Sequence, residues 1–326
     1  MHTFDAKAQA ALSFLFSELT YVEQEVLRQP YPEIKYPAIL PVDTSAPDYA
    51  DSIAFKTLDF TGKPKLLGSR SGDIPLVEVA SSKGSVTVHT YALGYDYSII
   101  EVGKAQELAR QSRSAAINFL AEKANATRQS TEQFLDEAFF IGDNQTADVT
   151  TGLFNDPDVP TYATGDFLGT SPTDDETITE ILNGADAEVA ANKLLQLFNG
   201  AIEAVRVTQM NTISRPTHII LPPLQYGKMR TFRIPNTTDT IESYLTRVLN
   251  ITFEEHISLA GLGAGSTDRM MVYTRDSKYV KAHMPMTFSL QAPATKDNVT
   301  FTSAGMVRIA GTEIRIPKQH AYVDDI

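Results

Sequence analysis

Residues 132–162 read EQFLDEAFFIGDNQTADVTTGLFNDPDVPTY. The stretch opens as helix sequence and ends apolar, on Ala138-Phe139-Phe140-Ile141. Gly142-Asp143 then breaks the pattern, because glycine and short polar residues favour turns over helix. A polar segment follows, with Gly152-Leu153-Phe154-Asn155, Pro157 and Pro160 beyond it. A helix that carries its most apolar residues in its last turn needs something to cover that turn. The rest of the chain has to supply the cover.

Upstream of Phe140 the chain has no proline back to Ser98, and only Gly103 interrupts it. The expectation is one helix of about 40 residues, roughly 60 Å long, well beyond ordinary globular length. Its apolar residues include Leu108, Ala109, Ala115, Ala116, Phe119, Leu120, Ala124, Phe134, Leu135 and Ala138. Sustained Leu or Ile heptads are absent, so a helix laid on a sheet fits better than a coiled coil.

Before that helix, residues 51–100 read as a long β-hairpin. A strand runs from Ile53 to Phe60, breaks at Thr61-Gly62-Lys63-Pro64 and resumes from Ile74 to Ala80. Ser81-Ser82-Lys83-Gly84 reads as a turn, with strand again from Val86 to Tyr91. The tip, Gly62 to Gly72, holds Lys63, Lys65 and Arg70 and no acid. Earlier still, Ala8, Leu12, Leu15, Leu19, Val22 and Val26 recur at helical spacing between Asp5 and Gln29. Five prolines from Pro30 to Pro47 follow. Proline fixes φ and lacks a donor, so this segment reads as an extended arm that buries little in its own chain.

Downstream, residues 129–192 contain fourteen acids and no Lys or Arg, so the remainder of a chain of net charge −12 sums to +2. This window reads as a solvated acidic loop; it lacks the alternating acids and central glycine of a calcium loop. The balance also argues against a nucleic-acid reader. Ala187 to Met210 reads as an amphipathic helix and His218 to Leu221 as a buried strand. Thr240 to Leu249 reads as a helix with Asp239 as N-cap. Ile251–Leu259, Met270–Thr274, Met284–Leu290 and Val307–Ile316 read as strands.

Composition sets outer bounds. With 326 residues, 42% hydrophobic and 21% charged, the chain is long enough for two compact units or one elongated one and is not globally disordered. No apolar run reaches the ~18 residues of a membrane helix. No cysteine exists, which excludes disulfides and thiol chemistry. The glycines at 261, 263 and 265 precede a strand, not the helix that a dinucleotide loop opens. Glu254-Glu255-His256 lacks the second histidine of a metalloprotease helix. The six histidines are scattered, and His218, heading a buried strand, reads as core. No catalytic, cofactor-binding or metal-ligating residue is nominated, and an enzyme is not expected.

The order of these parts resembles the major capsid proteins of tailed bacteriophages, the Hong Kong 97-type fold, over nearly the whole chain. Three stretches carry the likeness: Phe140-Ile-Gly-Asp143 with Gly152-Leu-Phe-Asn-Asp-Pro157; Phe60 to Val77 with Gly68-Ser-Arg-Ser-Gly72; and Arg308-Ile-Ala-Gly-Thr-Glu-Ile-Arg-Ile-Pro317. The resemblance implies an α+β fold with five parts. Residues 1–50 would be an N-terminal arm and 51–100 an extended loop. Residues 101–151 would be a peripheral domain with a spine helix, 152–269 an axial domain, and 270–326 returning peripheral strands. Phe139, Phe140, Gly142, Asp143, Leu153 and Phe154 would form the spine-end junction with the axial domain. Lys63, Lys65, Arg70, Leu12, Leu15 and Leu19 would contact neighbouring subunits.

By the same resemblance the chain would form hexamers and pentamers of an icosahedral shell around double-stranded DNA, in a virion assembled in a bacterial cytoplasm. Portal and separate scaffolding proteins would be partners, with a decoration protein as a further one and no membrane. DNA would be enclosed without sequence-specific contacts. No N-terminal processing and no lysine–asparagine cross-link is expected. An encapsulin-like shell around enzyme cargo is the alternative with the same fold.

Overall fold

The computed structural model describes residues 31–63, 76–111, 119–143, 145, 151–169, 176–184, 186–297 and 299–326. In chain order the first elements are α1 (Tyr36–Ile39), β1 (Val42–Asp43), β2 (Ser52–Thr61), β3 (Glu78–Thr87) and β4 (His89–Ser98). Next come α2 (Ile99–Gln111), α3 (Phe119–Phe140), β5 (Thr161–Ala163), α4 (Thr164–Leu168), α5 (Ile178–Leu182) and α6 (Ala187–Glu203). A π-helical segment, Ala204–Gln209, extends α6 and is followed by β6 (His218–Leu221), α7 (Pro223–Thr231), α8 (Ile241–Leu249) and β7 (Thr252–Glu255). The last strands are β8 (Arg269–Tyr273), β9 (Val280–His283), β10 (Met286–Leu290), β11 (Ala294–Thr295), β12 (Thr300–Ile309), β13 (Gly311–Ile314) and β14 (His320–Asp324).

The chain divides into two compact units. The larger holds residues 34–93, 128–291 and 304–326. Its centre is a five-stranded mixed sheet in the order β5-β14-β8-β6-β7. Side chains alternate across a strand, and this sheet buries both faces. Ile219, Leu221, Met270, Val272, Ala321 and Val323 face one core, with Ile178 of α5, Leu194 and Phe198 of α6, Met229 of α7 and Leu245 of α8. Ile220, Met271, Tyr273 and Tyr322 face a second core, built with α1, the end of α3, and Val280 and Ala282 of β9. A second sheet, β1-β9-β13, is parallel at β1–β9 and antiparallel at β9–β13.

The smaller unit includes the described residues of 94–127 and 292–303. There Tyr97 stacks on Phe301 at 5.5 Å, and Ala294 and Thr295 pair with Thr302 and Phe301. The Lys123 ammonium donates to the Asp96 carbonyl at 2.7 Å and lies 3.5 Å from Glu101. Helices α2 and α3 cover the two ends of the long helix expected from 98 to 140; residues 112–118 lie outside the described residues.

Several expectations are corrected. Ser81-Ser82-Lys83-Gly84 is not a turn. These four residues lie inside β3, opposite Leu58, Thr57, Lys56 and Phe55 of β2. The Phe55 ring lies over Gly84 across the ladder, where a Cβ would come within 2.2 Å of it and displace the ring. The proline segment is not merely an extended arm: Tyr36, Ile39 and Leu40 are buried, and Val42 and Asp43 pair with β9. Pro37 is tolerated in the first turn of α1, where its missing N–H costs nothing. The acidic window is no single loop, since it holds the end of α3 and all of α4 and α5. Its acids cap helices: Asp166 accepts the Ala163 N–H at 3.0 Å, Glu180 the Thr177 N–H at 2.9 Å and Asp186 the Glu188 N–H at 2.9 Å. Carboxylates at helix N-termini meet unsatisfied N–H groups and the positive end of the dipole.

The N-cap of α8 is Thr240, which accepts from Ser243 N–H at 3.3 Å; Asp239 pairs instead with Arg247. The strand expected over Ile251–Leu259 ends at Glu255 and passes into a 3₁₀ turn. β8 begins at Arg269 and lies between β14 and β6. Strand β14, unread in the sequence, sits inside the same sheet, fully buried.

His218 and His320 flank Tyr273 in neighbouring strands, with ring centroids 5.4 and 6.2 Å from it. Burial pushes both imidazoles down to about 4; Arg275 adds to this at His218, while a Tyr279 backbone hydrogen bond partly opposes it at His320. The unfolded chain therefore binds protons that the folded chain refuses. The stability held near neutrality is lost as pH falls from the ordinary histidine value, 6.5, toward 4. For His320 the loss is roughly 3 kcal/mol. Urea midpoints at pH 7 and pH 4.5 should differ accordingly, and His320→Leu should flatten the slope; equal midpoints in the unaltered protein refute this.

Candidate functional site

The end of α3 is covered by residues drawn from across the larger unit. Phe140 stacks on Phe154, centroids 4.7 Å apart and planes within 8°. The His256 ring lies 4.1 Å from Phe140 and 5.3 Å from Phe154. Phe139 packs against Tyr36 at 5.3 Å. The chain returns alongside its own helix end: Leu153 N–H donates to the Phe139 carbonyl at 3.0 Å, and Phe154 N–H to the Phe140 carbonyl at 2.9 Å. These bonds satisfy carbonyls that a helix C-terminus leaves unpaired. Asn155 closes the turn, accepting from Gly152 N–H at 2.6 Å and donating to the Ile141 carbonyl at 2.7 Å. Gly142 has φ 97°, the left-handed region that ends helices. Asp143 is buried and accepts the Gln145 N–H at 3.0 Å.

Polar groups fasten this junction. Asp136 accepts the N–H groups of Lys35 and Tyr36, each at 2.8 Å, and lies 3.2 Å from His256 Nε2. The Tyr36 hydroxyl donates to Glu132 at 2.8 Å; burial first, then that carboxylate, pushes the phenol's pKa up. Arg269 forks onto Asp324 at 2.6 and 2.9 Å and donates to the Phe154 carbonyl at 2.9 Å. Its guanidinium lies 4.6 Å over the Tyr322 ring, whose hydroxyl donates to the Leu153 carbonyl at 2.6 Å. The structure thus brings Phe139, Phe140, Gly142, Asp143, Leu153 and Phe154 together. The sequence reading missed Tyr36, Asp136, His256, Arg269, Tyr322 and Asp324, which come from distant segments with no local pattern to connect them.

The hairpin is the second candidate surface. β2 and β3 pair over ten residues, Ser52↔Thr87 to Thr61↔Glu78. Leu58, Phe60 and Val79 share one face and are 62%, 67% and 59% exposed. Lys56 and Lys83 lie opposite each other on that face. Lys63 is exposed. Lys65, Arg70, Leu12, Leu15 and Leu19 lie outside the described residues. Among the described residues no cluster of His, Asp or Glu fit for a metal occurs, and no helix is long and apolar enough to cross a membrane.

Among solved structures, the chain is similar to the capsid of Myoviridae phage XM1, with TM-score 0.78 and 15% identity over 95% of this chain and 98% of that one. It is similar to a chain from Mycobacterium phage Bobi, with TM-score 0.60 and 12% identity over 96% and 97%. A virus-like particle from Pyrococcus furiosus gives 0.50 and 12% over 88% and 91%. At such identities these likenesses establish the fold. No curated protein matches the sequence. Residues 62–326 match the family described as major capsid protein. That match spans most of the chain, and the chain belongs to the major capsid protein family.

Proposed function

We propose that this chain assembles into hexamers and pentamers of an icosahedral shell that encloses the double-stranded DNA of a tailed phage. The observation that carries the reading is the ribbon β2–β3, exposed along most of its length, with Leu58, Phe60 and Val79 open to solvent. A lone two-stranded ribbon is marginal in water, and an exposed apolar face marks an interaction site. Neighbouring copies supply the missing contacts. In this reading α3 belongs to the spine helix of the peripheral domain, the five-stranded sheet with α5–α8 is axial, and the ribbon is the extended loop. Assembly takes place in the bacterial cytoplasm with portal and scaffolding partners, and a decoration protein is compatible with it.

Expression of the chain alone, viewed by negative-stain microscopy beside its light-scattering mass, tests the proposal. Closed or aberrant shells are expected. A stable monomer of 35.8 kDa, unchanged by a scaffolding partner, refutes it. Shells filled with protein cargo, and never with DNA, shift the reading to an encapsulin-like compartment. The basic tip should bridge copies by salt-sensitive contacts. Reversing Lys63 and Arg70 to glutamate should therefore lower the yield of shells several-fold while the far-ultraviolet spectrum stays unchanged. Normal shells from that variant would remove the tip from the assembly surface.

A further inference from the structure

We propose that His283 is a proton-operated latch that fastens strand β1 to the sheet, closing as the pH falls and loosening as it rises. β1 is two residues long and joins the buried α1 to the segment that leads into the hairpin. It docks on β9, where the Ala282 and Met284 N–H groups donate to the Pro41 and Asp43 carbonyls, each at 3.0 Å. So short a strand cannot hold itself by backbone bonds alone, and its side chains matter accordingly.

Asp43 lies directly opposite His283 in the ladder, and Gly311 of β13 lies opposite on the other side. The imidazole is 2% exposed. Its Nε2 is 2.5 Å from Glu313 Oε2, and its Nδ1 is 3.9 Å from Asp43 Oδ2. The other charged groups in this cluster are Lys281 of β9, 2.8 Å from Asp43, and Arg315, 3.1 and 3.2 Å from the Glu313 oxygens. Both carboxylates are held ionised. At Glu313, burial opposes this but the His283 and Arg315 donors outweigh it; at Asp43, Lys281 and then Ser45 donate.

The ring's chemistry follows from that arrangement. An ionised Glu313 needs a donor, so Nε2 carries the proton of the neutral ring. Nδ1 is then unprotonated, 3.9 Å from the Asp43 carboxylate, acceptor against acceptor, and adds no attraction. A second proton on Nδ1 turns that approach into a charge-assisted N–H···O bond across the β1–β9 seam. With the proton lost, β1 retains its backbone bonds and the Lys281–Asp43 pair. The latch response is opposite in sign to that of His218 and His320, whose burial makes protonation unfavourable.

Hydrogen exchange of the full-length chain tests this, read at the Ala282 and Met284 amides and corrected for intrinsic rate. Their protection should rise roughly tenfold from pH 8 to pH 6, while the β8 amides gain none. His283→Gln can still donate to Glu313 but cannot take a second proton, so its protection should be flat with pH. Should that variant fail to fold, Asp43→Asn removes the charged acceptor and should flatten the response equally. Flat protection in the unaltered protein, or the same tenfold rise in either variant, overturns the latch.

Discussion

Arg269→Ala is expected to destabilise the protein by about 3–5 kcal/mol, measured as a fall in urea midpoint at pH 7. The arginine side chain is 12% exposed and its partner, Asp324, 4%. Removing the guanidinium leaves a carboxylate buried without its countercharge. It also leaves the Phe154 carbonyl without its 2.9 Å donor and uncovers one face of Tyr322. The loss comes mainly from the stranded charge. The double variant Arg269→Met with Asp324→Leu should therefore recover much of it, because well-packed apolar replacements for a buried pair are often neutral or better. A single variant within about 1 kcal/mol of the parent, as for an exposed pair, would show that the pair does not hold the junction.

Gly152→Ala is the second large effect. A Cβ there would lie 2.4 Å from the Phe140 carbonyl carbon and 2.5 Å from the Ile141 nitrogen. Both are backbone atoms, so no rotamer change relieves the contact. The returning chain would have to lift off the helix end, taking with it the Leu153 and Phe154 hydrogen bonds and the Phe140–Phe154 stack. Overpacking of this kind costs roughly 3 kcal/mol or more. Gly227→Ala provides the control. Gly227 lies in α7, where an added Cβ would meet nothing within 4 Å, and alanine is the better helix former by up to about 1 kcal/mol. Thermal unfolding of the two variants should move in opposite directions. A Gly152→Ala protein as stable as the parent would mean that the turn after α3 is looser than its geometry indicates.

Elements with a strong internal pattern were legible in the sequence. The stripe of Leu194, Leu197, Phe198, Ala201 and Ile202 identified α6, and the apolar run at 218–221 identified β6. The apolar last turn at Phe139 and Phe140, with Gly142 after it, correctly announced a buried helix end. Misreadings arose where the deciding partner lies far along the chain. Ser81 to Gly84 has turn composition, yet β2 offers it a complete ladder, and pairing overrides propensity. Tyr36 to Leu40 sits among prolines, yet Asp136, one hundred residues from Tyr36, accepts its N–H. The segment at 320–324 has no polar alternation because both faces of its sheet are covered.

What depends on neighbours a few residues apart could be read along the chain: the helix faces, the helix breaks, the absence of cysteine chemistry and the charge imbalance. The sequence also carried the order of parts that resembles a capsid protein. What covers the end of α3, which strands share the central sheet and which ion pairs are buried emerged from the folded arrangement. Those outcomes depend on contacts between residues widely separated along the chain. Helical and strand periodicities report which face of a segment is apolar, but they contain no information about which other segment meets that face.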